Sequence, residues 1–137
     1  MKTNPYISFN GQCEEALAFY AKCLGGTVGD INRYGGSPMD GQFPPEWAEK
    51  VMHARLSING VVAIMGSDAM PSRYEAPKGI TMSVSAQDAE ESERVFHALA
   101  EGGSVTMPIQ PTFWSARFGM LVDRFGVAWM VNCEQPA

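Results

Sequence analysis

Residues Tyr6 to Asn10 alternate, with Ile7 and Phe9 on one face and Tyr6, Ser8 and Asn10 on the other, the period of a half-buried strand. Asn10 can then cap a helix, Glu14 and Glu15 sit where the helix dipole favours carboxylates, and Ala16, Phe19, Tyr20 and Cys23 form an apolar stripe that stops at Gly25-Gly26. The same order returns later. A strand pattern over Ile80 to Ser85 is followed by a capping-box-like Ser85-x-x-Asp88, a stripe of Ser92, Val95, Phe96 and Leu99, and a stop at Gly102-Gly103. The glycine pairs lie 77 residues apart, but the apolar stripes fit an offset of 76 equally well, so the register is open by one residue.

Both halves also close alike. Met52 to Ile58, the hairpin dipeptide Asn59-Gly60 and Val61 to Met65 read as strand, tight turn, strand. Gly119 to Val122, Asp123-Arg124-Phe125-Gly126 and Val127 to Asn132 repeat the pattern. The turn glycines are 66 residues apart, so the first half carries about 11 extra residues, assigned to the Gly- and Pro-rich stretch 32–50. Two copies of strand, helix and three strands predict an α+β fold of two βαβββ modules, about 1–68 and 79–137, in one domain. In such a fold the sheet faces opposite the helices line a central cleft.

Composition narrows the partners. With 45% apolar and 10% aromatic residues the chain can fill a core, and a formal charge of -5 offers no basic field for nucleic acid or anionic lipid. No apolar run approaches the roughly 18 residues of a membrane span, and MKTNPYISFN lacks the features of a secretory signal, so a cytoplasmic place is expected. Cys13, Cys23 and Cys133 have no zinc-site spacing and are expected to be reduced. Cys13, near the start of the first helix, could be reactive, but no base accompanies it.

The segments YISFNGQCEEALAFY, MHARLSING with GSDAMPS after it, and TFWSARFGMLVDRFGVAWMVN resemble the PhnB-like branch of the glyoxalase/bleomycin-resistance (vicinal oxygen chelate) superfamily across nearly the whole chain. The resemblance implies a divalent metal held by His, Glu and Gln side chains from the first and last strands of each half. It places the last-strand carboxylate four residues after the hairpin glycine, where this chain has Ile64 and Met130. The matching first-strand neighbourhoods hold Pro5, Tyr6 and Ser8, and Gly79 and Thr81, none of them His, Glu or Gln. No metal and no other cofactor is therefore expected at the usual place, with an atypical divalent site around His53 and Asp68 as the open alternative. A methyltransferase activity associated with this branch would need an adenosylmethionine site, and no glycine-rich strand-to-helix turn of that kind is present.

Other side chains are candidates in its stead. His53 shares a strand face with Arg55 and Ser57, while Ala54, Leu56 and Ile58 face the helix, so His53 is a candidate base, or else a hydrogen-bonded structural histidine. Asp68 could contact a ligand or His53, or serve the turn that follows it. Asp123 opens a turn, where backbone amides usually explain an aspartate. Gln110, Thr112, Phe113 and Trp114, placed between strands, could floor or gate an apolar pocket, and core packing accounts for at least one of the two aromatics. Arg117 could grip an anion or form a surface salt bridge. Asn132 falls on the Met130 face and could offer a polar contact, as could Tyr6 and Ser8, whereas Trp129 falls opposite, toward the core.

The stretches 32–50 and 69–78 carry Met39, Phe43, Trp47, Met70 and Tyr74, which suit either closure over a groove or contacts in a homodimer. Two functions compete. One is a binding protein for a small, partly apolar molecule; the other is an enzyme, metal-free with His53 as base or built on an atypical metal site.

Overall fold

A computed structural model of the chain describes residues 1–134. They fall into two compact units, Met1–Ala76 and the described residues from Pro77 onward. The first contains β1 (Tyr6–Phe9), α1 (Cys13–Leu24), β2 (Thr27–Arg33), β3 (Val51–Ile58) and β4 (Val61–Asp68). The second contains β5 (Thr81–Ser85), α2 (Ala89–Ala100), β6 (Ser104–Gln110), β7 (Arg117–Val122) and β8 (Ala128–Cys133). Each unit is thus a βαβββ module. Its sheet is mixed, with order β1-β4-β3-β2 in the first and β5-β8-β7-β6 in the second, the first strand running parallel to the last.

Each helix packs on one face of its sheet, where its apolar stripe meets the buried strand residues. In the first unit Ile7, Phe9, Leu17, Tyr20, Leu56 and Ile64 are buried between α1 and the sheet; in the second Phe96, Leu99, Leu121, Trp129 and Val131 are buried under α2. Gly119 makes that contact possible, since a Cβ there would stand 2.7 Å from the Phe96 ring and 2.9 Å from Ile109 Cα.

The helix starts differ from the sequence expectation. Asn10 does not cap α1: Gln12 occupies that position without a side-chain bond, and Asp68 Oδ1, from the end of β4, accepts from Cys13 N at 2.8 Å. In α2 the capping box is Asp88-x-x-Glu91, three residues later than Ser85-x-x-Asp88. Asp88 Oδ1 accepts from Glu91 N at 2.8 Å and Glu91 Oε2 accepts from Gln87 N at 2.9 Å. The open register is also resolved: the helices are offset by 76 residues, Cys13 to Ala89, while the left-handed glycines Gly25 and Gly102 are offset by 77. Gly25 caps α1 directly; Glu101 intervenes in α2.

The hairpins differ too. Asn59 and Gly60, both at positive φ, make a two-residue turn, whereas five residues separate β7 from β8. The pairing of β3 with β4 then slips between Leu56 and Ser57, where Ala63 is the extra residue of a bulge. A bulge reverses the facing of everything beyond it. Ile64 therefore points to α1 and is 2% exposed, while Met130 points away from α2, so these two are not equivalent. The counterparts of Met130 and Asn132 are Met65 and Ser67.

The excursion in the first unit runs from 34 to 50, since β2 extends to Arg33. It is anchored to its own unit: Tyr34 Oη donates to Asp68 O at 2.8 Å, Gly35 N to Ala48 O at 2.9 Å, and Lys50 Nζ to Gly11 O at 2.9 Å. Tyr34 also packs edge-on against Phe43.

Candidate functional site

Alternation along β1, β3 and β4 puts Tyr6, Ser8, His53, Arg55, Met65 and Ser67 on the sheet face away from α1. Tyr6 and Arg55 both pair with Met65, one from each neighbouring strand, so the three form a row across the sheet. His53 joins the ends of that row. Its Nδ1 lies 3.3 Å from Tyr6 Oη and its Nε2 accepts from Arg55 Nε at 3.4 Å, with the Tyr6 and His53 rings 5.7 Å apart. Arg55 is further approached by Asp30 at 3.8 Å. Asp30 sits at a break in the β2–β3 pairing with φ of 55°, a conformation that aspartate tolerates better than most residues. It was not among the sequence candidates.

The corresponding face of the second sheet is apolar where the first is polar. Phe118 and Met120 stand where His53 and Arg55 stand, with Met130 beside them and Asn132 paired to Phe118. Gln110 is not in a connector but ends β6 opposite Phe118. Trp114 stacks edge-on with both Phe113 and Phe118, at 4.7 and 5.7 Å, and Phe113 is almost fully exposed. Phe113, Trp114 and Arg117 border a recess of about 430 Å³.

Four candidates are held by the fold. Asp68 lies on the helix side of β4, 1% exposed, with Oδ1 accepting from Cys13 N and Oδ2 from Val51 N, so it is a structural clamp rather than a ligand contact. This also separates it from His53, which is on the opposite face. Arg117 is turned toward α2, where its Nε donates to Glu93 Oε2 at 3.2 Å and a terminal nitrogen to Ala116 O at 2.7 Å; the salt bridge, not anion capture, describes its present role. Asn132 is tied to Ser115, a buried hydroxyl 2.6 Å from its side-chain oxygen that the sequence reading passed over. Asp123 is likewise buried, accepting from Phe125 N, Val127 N and Trp129 Nε1.

A larger recess of about 620 Å³ opens at the start of α1, between Glu14, Arg33 and Lys50. Its cations are already engaged, Arg33 by both oxygens of Glu14 at 3.0 and 3.1 Å and Lys50 by Gly11 O. The Arg33 hydrogen bonds hold the Glu14 carboxyl below its usual range. Cys13, behind this recess, is fully buried, and burial together with the nearby Asp68 carboxylate pushes its thiol up to about 12. That is the opposite of an activated nucleophile.

Paired βαβββ modules with mixed sheets define the glyoxalase-like class of α+β protein. The chain belongs to the family described as 3-demethylubiquinone-9 3-methyltransferase, whose model matches residues 1–132, in the PhnB-like branch of the glyoxalase superfamily. It is 38% identical to protein YjdN of Escherichia coli K12 over 99% of both chains. Among solved structures, PA1353 of Pseudomonas aeruginosa is 50% identical over 99% of both chains, with a TM-score of 0.88. A PhnB protein of Bacillus cereus is 27% identical over 97% of this chain and 99% of that one, with a TM-score of 0.80. The Listeria monocytogenes fosfomycin resistance protein FosX, solved with Mn(II) and a dihydroxypropylphosphonic acid, shares the fold alone at 10% identity and a TM-score of 0.64, over 96% and 90% of the chains.

The donor set here does not fit such a metal. Among the described residues no group of three or more His, Cys, Asp or Glu side chains could hold an ion. At the last-strand positions, once the bulge is allowed for, stand the thioethers Met65 and Met130, poor partners for a hard cation.

Proposed function

We propose that this chain binds a small organic molecule on the open face of its first sheet, without the superfamily's usual metal centre. The observation that carries the reading is the Tyr6–His53–Arg55 cluster around Met65, an apolar floor rimmed by polar groups joined through His53. The engagement of both His53 ring nitrogens weighs against the enzymatic alternative, because a general base needs a lone pair directed at substrate. The test is elemental analysis of protein purified without added metal, followed by a thermal-shift screen of small carboxylates and aromatic compounds. Saturable stabilisation by a metal-free sample is expected. A stoichiometric bound metal overturns the reading.

A homodimer belongs to the same proposal. It is supported by β6, an edge strand that leaves Val105 and Met107 exposed. Sedimentation velocity should give twice the chain mass, and a purely monomeric protein would remove this part.

A further inference from the structure

The proton positions in the Tyr6–His53–Arg55 cluster follow from a single donor. Arg55 Nε carries a proton and has no lone pair, so His53 Nε2, 3.4 Å away, must accept. A neutral imidazole whose Nε2 lone pair is used in this way carries its own proton on Nδ1. Nδ1–H then donates to the Tyr6 oxygen at 3.3 Å, and the phenolic proton is directed away from the ring. The guanidinium retains its terminal N–H groups, met among the described residues by Asp30 at 3.8 Å, an exposed pair that contributes little. What this face offers a ligand above Met65 is therefore donors: a hydroxyl proton and a planar cation, on two strands that flank one residue.

We infer that Tyr6 and Arg55 form an oxyanion-recognition site for the carboxylate or phosphate group of a small molecule, with His53 as the positioning residue that orients the Tyr6 hydroxyl. The inference deepens the binding function proposed above and rests on it for the identity of the face. An incoming oxyanion would take Asp30's place on the guanidinium, with the better geometry of a paired contact. The chain's overall charge of -5 makes such a local donor set more selective, since anions are repelled elsewhere.

The test reads proton position and ligand class separately in the full chain. Long-range nitrogen–proton NMR at about pH 8, above the usual histidine range, assigns the tautomer of each neutral histidine. His53 should be the Nδ1–H form, whereas His97, whose Nε2 faces Glu93 at 3.4 Å, should be the Nε2–H form and serves as internal reference. Titration at constant ionic strength with benzoate, inorganic phosphate and benzamide follows. Benzoate or phosphate should shift the Arg55 Nε–H and Tyr6 resonances saturably, the two probes separating a carboxylate ligand from a phosphate one, and benzamide should not. Arg55→Met should return His53 to the Nε2–H form that water favours and weaken the anion at least about tenfold.

Finding His53 as Nε2–H overturns the inference whatever binds. An equal response to benzamide, or no saturable response to either anion, also overturns it. The binding function itself stands or falls on the metal content and the wider ligand screen, so the two failures are distinguishable.

Discussion

Asp68 and Asp123 both stand beside a turn in the sequence, and both are buried acceptors of backbone amides in the structure. Only Asp123 was readable, because the donors Phe125 N, Val127 N and Trp129 Nε1 are local, within six residues. The partners of Asp68 are 55 and 17 residues away, and nothing in GSDAMPS announces them. Asp68→Asn exchanges one carboxylate oxygen for an amide nitrogen and sets a donor against a donor. It should cost about 2–3 kcal/mol, read by urea denaturation. A loss of only a few tenths would mean that the clamp is not made. Cys13 gives a second test at this scale. With its thiol pushed up to about 12 and all three cysteines buried, native protein should resist iodoacetamide while the unfolded chain reacts at every cysteine. Prompt alkylation of native Cys13 would contradict the burial.

At the scale of elements, both helices and the strands β1, β3, β4, β5, β7 and β8 follow from the periodicity, but facing depends on one inserted residue. Ala63 bulges out of β4 and reverses the strand, so counting from the turn glycine reached Ile64 instead of Met65. Periodicity reveals a bulge only through a break of phase, and Val61 to Met65 is apolar throughout, so no phase was readable there. The polar face of β3 was legible, since His53 and Arg55 alternate with Ala54 and Leu56. Asp30 and Ser115 were not, because their relevance comes from neighbours brought in by pairing and by a loop. Helix-to-sheet contact yields its own test. Gly119→Ala would drive a methyl into the Phe96 ring and the Ile109 backbone and should cost about 1–3 kcal/mol by overpacking, measured by denaturant midpoint at unchanged m. An unchanged midpoint would show that α2 can shift to make room.

For the molecule as a whole, stability should fall at both ends of the pH scale for identifiable reasons. Glu14 is lowered from its ordinary 4.5 by Arg33, so its contribution is present above that value and lost as pH drops through the folded one. Being exposed, the pair contributes modestly, and Glu14→Gln should flatten the acid limb only slightly. Cys13 and Tyr34 are raised by burial, with Asp68 adding to both. Groups raised in the fold stabilise it below their unfolded values, and for Cys13 that stability is lost from about pH 9 upward through about 12. Thermal melts across pH should show this alkaline limb, and a flat profile to pH 12 would refute it.

The duplication, the α+β class and the broad family were determined by sequence alone, because they rest on period, order and spacing, which are local properties repeated along the chain. The tertiary structure decided which candidates share a surface. It moved Asp68 and Arg117 to the helix side, gave Arg55 a partner in Asp30, and engaged both nitrogens of His53. The physical reason is the same in each case: hydrogen bonds and bulges couple residues across strands, and that coupling is not written in the spacing of either strand by itself.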